Sequence, residues 1–354
     1  MDAPAPLSLL DLPLDEAEPE LVQRLAAMGE PRFRAGQILK QVYGHAVREP
    51  AGMTDLPLAL RRRLPDAVRI GLLELSHRSV SADGTVKYLW RLADGAEIES
   101  VAIPQEDWLS FCVSSQAGCA LHCRFCATAA LGLKRNLTAG EIVDQVLAMI
   151  ADAPSPRGAV SVVFMGMGEP GYNMAHVLAA CRTLNDPRGL GIGARHLTIS
   201  TSGVVPAIRQ LAAEPLQVRL AVSLHSADQA RRENLMDVAK RFPLSELLTA
   251  CQEYHDATGR LITLEYAVMP GSNDRAEDAQ SLARFATAAG AKINPIPYNP
   301  VEGFESPPST ERDAARFRRA LQSVFDGQVM VRQTRGRDIE AACGMLHRAR
   351  AAGA

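Results

Sequence analysis

Three closely spaced cysteines offer the most specific chemistry in this chain. They lie in Cys119-Ala-Leu-His-Cys123-Arg-Phe-Cys126, where intervals of four and three residues allow their thiols to converge on one inorganic centre. Iron–sulfur clusters are normally held by four thiolates, so a set of three leaves one iron able to accept a substrate or cofactor. Zinc is the alternative, but it requires a fourth ligand, and His122 is so close to Cys123 that joint coordination is awkward.

Further polar residues follow predicted strands. Gly166-Met-Gly168-Glu169-Pro170 ends one strand, where exposed carbonyls and the Glu169 carboxylate would suit an ammonium group. A tight strand-to-helix turn is the alternative interpretation of this segment. Three other strand ends carry Ser200, the tripeptide Ser223-Leu224-His225, and Asn299. Active sites of parallel barrels assemble at the carboxyl ends of strands, so these residues are candidates for one site.

A repeated strand–loop–helix pattern from about residue 110 onward must position these residues. Alternating units of this kind predict a parallel sheet with helical crossovers. A closed eight-stranded barrel takes about 250 residues, but only six units and a terminal strand near Val329–Gln333 are visible, so the prediction is an α/β fold with an incomplete (βα)6 barrel. The six predicted strands are Phe111–Ser115, Ala159–Met165, Leu197–Thr201, Val218–His225, Leu261–Val268 and Lys292–Ile296. The first crossover helix should begin at the capping box Thr138-Ala-Gly-Glu141.

Two smaller regions precede the predicted barrel. Residues 1–69 are predicted to form a helical domain, and residues 21–69 carry nine Lys or Arg against four acids. By itself this basic surplus indicates a solvated helical surface, and a nucleic-acid-binding patch is the alternative. Residues 70–109 contain the pairs Asp83-Gly84 and Asp94-Gly95 between apolar runs, which is typical of short antiparallel strands joined by tight turns. The expected division is therefore 1–69, a β extension or linker over 70–109, and a barrel with a C-terminal segment over 110–354.

Composition excludes several classes of protein. The chain has 354 residues, 47% hydrophobic and 22% charged, which is typical of a globular protein. No uninterrupted apolar run reaches the length of a membrane-spanning helix, and the first twenty residues hold six acids and no Lys or Arg, unlike a signal peptide. We therefore expect a cytoplasmic protein whose cysteines are metal ligands, catalytic thiols or core residues. With a net charge of −2, any nucleic acid must be bound by local basic patches.

The cysteine spacing, on a barrel of this kind, resembles the radical S-adenosylmethionine (SAM) superfamily. The resemblance implies a [4Fe–4S] cluster on Cys119, Cys123 and Cys126, with SAM bound through its amino and carboxylate groups to the open iron. Reductive cleavage of SAM would then give a 5′-deoxyadenosyl radical. The residues implied to bind SAM are Phe125, Gly168, Glu169, Ser200, Ser223, Leu224, His225 and Asn299.

Three longer sequence motifs narrow the resemblance to one family within this superfamily. Cys112-Val-Ser-Ser-Gln-Ala-Gly-Cys119, Gly132-Leu-Lys-Arg-Asn-Leu-Thr138 and Thr334-Arg-Gly-Arg-Asp-Ile-Glu-Ala-Ala-Cys343-Gly resemble the RlmN family, which methylates adenosine carbon 2 in bacterial 23S rRNA and in tRNA. The resemblance implies that Cys343 is first methylated and that the radical then removes a hydrogen atom from its methyl group. The resulting methylene radical attacks adenine, and Cys112 resolves the adduct by forming a disulfide with Cys343. Glu99 matches a position proposed as proton acceptor; an exposed strand carboxylate is the alternative.

The same resemblance implies partners and leaves rivals open. The expected partners are 23S rRNA at the peptidyl-transferase centre, the anticodon loop of tRNA and an electron-donating reductase, with the small N-terminal domain engaging RNA and the chain acting as a monomer. Leu235-Met-Asp-Val-Ala239 departs from the family's usual Leu-Met-Pro-Ile-Asn, which puts that loop's RNA contacts in doubt. The nearest rival is a carbon-8 adenosine methyltransferase of the antibiotic-resistance branch. A radical enzyme acting on a small molecule or peptide and a non-catalytic RNA-binding module are further alternatives.

Overall fold

The computed structural model describes residues 5–152, 159–330 and 334–346. Its strands in those ranges are β1 (Leu7–Ser8), β2 (Val68–Arg69), β3 (Glu74–Val80), β4 (Val86–Arg91), β5 (Glu97–Pro104), β6 (Leu109–Cys112), β7 (Gln116–Gly118), β8 (Leu133–Asn136), β9 (Val160–Phe164), β10 (Leu197–Thr201), β11 (Arg219–Ser223), β12 (Ile262–Val268) and β13 (Ala291–Pro297). The α-helices are α1 (Leu14–Ala27), α2 (Phe33–Leu39), α3 (Leu58–Ala67), α4 (Ala139–Asp152), α5 (Met174–Asn185), α6 (Val205–Ala212), α7 (Gln229–Leu235), α8 (Val238–Arg241), α9 (Leu244–Thr258), α10 (Ala276–Ala288) and α11 (Glu311–Gln322). In these ranges no helix combines the length and the apolar character needed to cross a membrane.

Six parallel strands of a nine-stranded sheet form the part that carries the cysteine loop. Their order is β13-β12-β11-β10-β9-β6, with parallel pairing throughout. Helices connect successive strands, and α11 follows β13, so the six predicted βα units are present. Within the described ranges the sheet runs from β13 at one edge to β3 at the other without closing, which confirms the incomplete barrel.

Local sequence explains how the first crossover begins. At the start of α4 the Glu141 N–H donates to Thr138 Oγ1 at 3.1 Å, and the Thr138 N–H donates to Glu141 Oε2 at 3.0 Å. This is the predicted capping box, which satisfies two backbone donors that a helix terminus leaves without partners. The buried residues of α4 then pack onto the sheet, as a crossover helix must.

Strands β3, β4 and β5 extend the same sheet in antiparallel order onto β6. The two Asp-Gly pairs lie in the turns between them, where Gly84 and Gly95 have φ values of +83° and +77°. Glycine adopts this left-handed conformation without a Cβ penalty. The predicted antiparallel strands and tight turns are therefore confirmed, and because β5 pairs with β6 the extension is continuous with the barrel sheet.

A buried carboxylate fastens the N-terminal helices to the barrel. Asp144 on α4 has a fully buried side chain and accepts hydrogen bonds from Arg48 Nε and Nη2 at 2.6 and 2.7 Å. It also accepts the backbone N–H groups of Leu72 and Leu73 at 2.7 and 2.9 Å. One side chain of the barrel thus holds both the helical segment and the chain that leads from it into the sheet.

Two aspartates hold the C-terminal segment, residues 334–346, against the turn between β3 and β4. Asp83 Oδ2 accepts the Gly336 N–H at 2.9 Å, and Asp338 accepts hydrogen bonds from Ser81 Oγ at 2.6 Å and the Ala82 N–H at 3.1 Å. A terminal strand was expected over 329–333. Val329 forms an isolated bridge with Ile293, and residues 331–333 lie outside the described ranges.

Candidate active site

The cysteine loop follows β7 and lines an open cavity at the carboxyl ends of the parallel strands. Cys119, Cys123 and Cys126 all face this cavity, whose unfilled space, mouth included, is about 1000 Å³. Hereafter it is called the cysteine-loop cavity. Its opposite wall is built from the ends of β9, β10, β11 and β13 and the residues that follow them. The predicted site residues therefore converge where active sites of parallel barrels lie.

Burial controls the protonation of the three thiols. It raises the pKa of Cys119 to about 12 and raises the pKa of Cys123 and of Cys126 above the ordinary value. These side chains are therefore thiols in the protein alone, and binding of iron would release their protons. Three soft sulfur donors facing one cavity suit an iron–sulfur cluster. Across the described residues, no group of three or more His, Cys, Asp or Glu side chains is arranged to hold a single metal ion.

Gly168 lines the cysteine-loop cavity at a position where a larger residue would not fit. Its φ is +103°, and a Cβ at this position would lie 2.5 Å from Gln116 Cβ and 2.8 Å from the Gln116 nitrogen. The close approach lets Gln116 Oε1 accept the Glu169 N–H at 2.9 Å. The glycine-rich strand end is therefore required by packing, and it brings Glu169 to the cavity.

Glu169 is buried at the cavity wall and held by its neighbours. Oε1 accepts the Gly171 N–H at 2.8 Å, while Oε2 accepts the Ser202 N–H at 2.8 Å and Ser202 Oγ at 2.5 Å. A carboxylate offers about four lone-pair sites, so these three bonds fix its position and leave acceptor capacity on Oε1 of a residue that lines the cavity. The arrangement suits an ammonium group of a ligand.

His225 and Phe125 form an aromatic corner of the cysteine-loop cavity. Their ring centroids lie 4.5 Å apart at an interplanar angle of 68°. The Ala267 N–H donates to His225 Nδ1 at 2.9 Å. Burial, with a smaller effect from the charge of Arg232, lowers the pKa of His225 to about 3. The imidazole is therefore neutral, with its proton on Nε2 as a hydrogen-bond donor.

The remaining strand-end residues divide into two groups. Ser200, Ser223 and Asn299 line the cysteine-loop cavity. Leu224 does not: its side chain is fully buried, and its backbone donates to the Glu265 carbonyl at 3.0 Å. Side chains alternate along an extended chain, which explains why Leu224 points away from the wall formed by its two neighbours.

Cys343 lies at the junction of two cavities. It lines the cysteine-loop cavity and also a second one, which contains Cys112 and has an unfilled space of about 1410 Å³ with its mouth. We call this second space the thiol-pair cavity. Cys343 is exposed and Cys112 is buried, and both carry thiols. Asn299 Nδ2 donates to the Cys343 carbonyl at 3.2 Å, and Arg337 Nε donates to Asn299 Oδ1 at 2.7 Å, which ties the cysteine to the loop after β13.

Glu99 lies on β5 outside both cavities. It is buried, forms an ion pair with Lys87 at 3.3 Å, and lines a separate small pocket with Asp338 and Glu340. The register between β5 and β6 sets Val101 opposite Cys112. Because residues two apart share a face of the sheet, Glu99 lies diagonally next to Cys112 on that face.

Sequence reasoning missed several residues that contact the site. Ser202 holds Glu169 and was identifiable only as the neighbour of Ser200 in a Ser-Thr-Ser-Gly run. Met236, in the loop that departs from the family pattern, lines the cysteine-loop cavity. The backbone of that loop also contacts the cysteine loop, since the Arg124 N–H donates to the Leu235 carbonyl at 3.0 Å. Arg232 is fully buried behind the cavity and donates to the Ser202 carbonyl at 2.6 Å, a contact that no local pattern could have predicted.

The fold and the cysteine cavity define a radical SAM protein, and comparison with known proteins agrees. The family model described as the Radical SAM superfamily matches residues 113–286. A second model, described as the ribosomal RNA large subunit methyltransferase N-terminal domain, matches residues 9–70.

Whole-chain relatives identify the family more closely: the chain belongs to the RlmN family of RNA methyltransferases. It is 46% identical to a probable dual-specificity RNA methyltransferase RlmN of Gemmatimonas aurantiaca, over 96% of this chain and 92% of the relative. It is also 46% identical to a protein of the same description from Symbiobacterium thermophilum, over 92% and 88%. The crystal structure of a radical SAM methyltransferase from Sphaerobacter thermophilus superposes with a TM-score of 0.89 at 41% identity, covering 96% of this chain and 99% of that one.

Proposed function

We propose that this protein methylates carbon 2 of adenosine in 23S rRNA and in tRNA, with Cys343 carrying the transferred carbon. The observation that supports this most directly is the position of Cys343, which lines both the cavity of the three clustered cysteines and the cavity of Cys112. A thiol in that position can receive a methyl group in the cysteine-loop cavity and present it to a substrate in the thiol-pair cavity. The relatives described as dual-specificity RNA methyltransferases support the RNA substrate.

Membership of the superfamily implies SAM and a [4Fe–4S] cluster. We assign the cluster to Cys119, Cys123 and Cys126, because these thiols face one cavity. We assign SAM to the adjoining strand ends, with Glu169 suited to its ammonium group and His225 Nε2–H available as a donor. When bound, the two cofactors supply a methyl group and a radical that removes a hydrogen atom.

The two catalytic thiols then perform different steps. Cys343 Sγ holds the carbon that becomes bonded to adenine carbon 2. The resulting adduct loses the carbon-2 proton and one electron, for which a bound [4Fe–4S] cluster would be the acceptor. Cys112 Sγ next attacks Cys343 Sγ, a disulfide forms, and the bond between Cys343 Sγ and the transferred carbon breaks with its electron pair remaining on that carbon, which gains a proton. A two-electron reductant must reopen the disulfide before another turnover, which is why we place the reaction in the reducing cytoplasm with a separate reductase.

Glu99 is proposed as the acceptor of the proton that leaves adenine carbon 2. The register that sets it diagonally beside Cys112 supports this role. Glu99→Gln should retain the fold and the methylation of Cys343 but should lose product formation. A Gln variant with full turnover would remove Glu99 from the mechanism.

The test of the proposed function is mass spectrometry of nucleosides after anaerobic reaction of the reconstituted protein with 23S rRNA and, separately, with tRNA. We expect 2-methyladenosine from both. Formation of 8-methyladenosine alone would assign the chain to the carbon-8 branch, and no methylated adenosine from either RNA would overturn the proposal. Gel filtration of the same preparation tests the expected monomer.

We further propose that residues 1–69 engage RNA, that residues 70–109 form the extension, and that residues 110–354 hold the catalytic unit. The basic surplus of residues 21–69 supports the first assignment. The salt dependence of RNA binding tests it.

A further inference from the structure

One tryptophan lies exposed at the mouth of the thiol-pair cavity. Trp108 is 44% exposed and lines that cavity together with Cys112 and Cys343. It ends the hairpin turn between β5 and β6, which is closed by a hydrogen bond from the Gln105 N–H to the Trp108 carbonyl at 2.9 Å. The two strands that position Cys112, β5 and β6, therefore also fix the backbone of Trp108.

Location distinguishes this side chain from an ordinary surface residue. Single exposed apolar residues are common and need no explanation. In the described ranges, eight large apolar side chains are exposed: Phe33, Leu58, Leu75, Val80, Trp108, Leu133, Leu261 and Val324. Of these eight, Trp108 alone lines the cysteine-loop cavity or the thiol-pair cavity.

The surroundings of Trp108 suit a nucleic-acid strand. Arg335, Thr334 and Gln105 line the same cavity, so a cation and two hydrogen-bonding side chains accompany the aromatic ring. Proteins that bind single strands combine positive charge with aromatic side chains on which bases stack. Among the described residues that line this cavity, Glu106 is the one carboxylate that opposes a phosphate.

The distance along the chain indicates which base is involved. Trp108 precedes Cys112 by four residues, and an extended chain rises about 3.3 Å per residue, so roughly 13 Å separates their Cα atoms along β6. Carbon 2 of the target adenine must reach the thiols, whereas the indole lines the same cavity near the amino end of β6. The ring is thus placed for a neighbour of the target base.

We propose that Trp108 is a stacking platform for a base flanking the target adenosine, and that Arg335 binds the phosphate backbone beside it. The proposal rests on the proposed function, since it takes the substrate to be RNA. It assigns to the turn between β5 and β6 a role in holding the RNA strand while the target adenine enters the thiol-pair cavity.

Tryptophan fluorescence offers a direct test, because the chain contains two tryptophans. The other, Trp90, is 2% exposed, stacks on Tyr88 and donates Nε1–H to Ser100 Oγ at 2.6 Å, so RNA cannot reach it. Titration of the reconstituted full-length protein with a 23S rRNA transcript containing the target adenosine should quench the emission in a saturable manner. The Trp108→Phe variant should show no such quenching.

The affinity for a fluorophore-labelled transcript measures how much Trp108 contributes to RNA binding. Trp108→Ala should weaken RNA binding by roughly 5- to 150-fold, which corresponds to about 1–3 kcal/mol per stacked base. Trp108→Phe keeps an aromatic face and should stay within about threefold of the wild type, since stacking tolerates different rings. Leu261→Ala is the matched control, because Leu261 is exposed but lines neither the cysteine-loop cavity nor the thiol-pair cavity.

Two results would overturn the proposal: wild-type affinity in Trp108→Ala, or unchanged tryptophan emission at saturating RNA. Either can occur while the protein still forms 2-methyladenosine, so the proposed function would stand. Conversely, a wild-type protein that yields no methylated adenosine refutes the proposed function by mass spectrometry. The fluorescence titration requires no turnover, so it tests the stacking of Trp108 independently of the methylation reaction.

Discussion

Cys343 and Cys112 differ in exposure although they line the same cavity. Cys112 is fixed in β6, whereas Cys343 belongs to an irregular segment and is exposed. The exposed thiol can meet a cofactor on one side and a substrate on the other, and the buried thiol meets only what enters the thiol-pair cavity. This asymmetry leads us to expect separable functions.

We predict that the single variants of these cysteines fail at different steps. Cys343→Ala should give neither a methylated protein nor an RNA product. Cys112→Ala should accept the methyl group, attack RNA once and stall as a covalent protein–RNA adduct through Cys343. Denaturing gels after one turnover should show that adduct, and ribonuclease should remove it.

The double variant Cys112→Ala, Cys343→Ala is the control for this experiment and should form no adduct. Cys251→Ala provides a second control, because that cysteine is buried in α9 away from both cavities. Full turnover by Cys112→Ala would show that this thiol is only a core residue.

Gly168 is a second residue whose replacement has a specific expected cost. Gly168→Ala adds a Cβ 2.5 Å from Gln116 Cβ in a left-handed conformation. Strain of about 1–2 kcal/mol and overpacking of about 1–3 kcal/mol should together lower the free energy of unfolding by about 2–5 kcal/mol. We expect weaker SAM binding as well, because the cavity wall must move.

Gly271→Ala separates the two contributions. Gly271 has a φ of +75° but open space around its Cα, so only the conformational strain of about 1–2 kcal/mol applies. Urea unfolding of both variants measures the difference. Equal losses of stability would show that the contact with Gln116 is unimportant.

At the scale of elements, the β extension positions the C-terminal segment. Its turn between β3 and β4 supplies Asp83, and burial alone would raise the pKa of that side chain. Hydrogen bonds from Thr85, Gly336 and Ser81 outweigh burial and lower the pKa of Asp83 to about 2. The segment bearing Cys343 is thus held by an ionised carboxylate.

The pH dependence of this attachment follows from the direction of the shift. Because the pKa of Asp83 is lower in the folded protein than its ordinary value of 3.8, its stabilising contribution is complete above about pH 4 and is lost as the pH falls through about 2. A nitroxide label on Cys343 should therefore be immobile at neutral pH and should become mobile as the pH falls through about 2. In Asp83→Asn we expect a several-fold larger mobile fraction already at pH 7.

Asp94→Asn is the matched control for this prediction. Asp94 occupies the neighbouring Asp-Gly turn, and a hydrogen bond from Arg135 lowers its pKa to about 2 as well. It does not hold the C-terminal segment, so its variant should keep the label immobile at pH 7. Equal mobility in the two variants would contradict the anchoring role of Asp83.

These elements also show what the sequence could and could not predict. The six βα units, the capping box at Thr138 and the Asp-Gly turns follow from local patterns, and the structure confirms them. Contacts between distant segments have no local signature. Arg337 bonds to Asn299, and Asp83 bonds to Gly336, across 38 and 253 residues respectively. Strand pairing and burial decide such contacts, which is why the orientations of Glu99 and Leu224 were also beyond the sequence.

At the scale of the whole molecule, a net charge of −2 means that RNA must be attracted by part of the surface. We proposed the N-terminal helices for that part because of their basic surplus, but not all of their cations are available. Arg61 donates to the Ala51 carbonyl at 3.0 Å and Arg63 to the Met28 carbonyl at 2.9 Å, so both support the fold of this region. Arg32, Lys40 and Arg62 are exposed and make no ion pair or side-chain hydrogen bond with the residues that the structure describes.

We predict that Arg32, Lys40 and Arg62 contribute to the salt dependence of RNA binding. Each phosphate contact contributes about −0.7 to −0.9 to the slope of log affinity against log salt concentration. If Arg32, Lys40 and Arg62 all contact phosphates, replacing them by Gln should make the slope less negative by about 2–3. The control is a triple variant that loses the same charge on α6, α10 and α11: Arg209, Arg284 and Arg319 are replaced by Gln. It should bind RNA more weakly only because its net charge is more negative, and its slope should equal that of the wild type. Anisotropy titrations between low and moderate salt compare them, and an unchanged slope in the first triple variant would show that this surface is merely solvated.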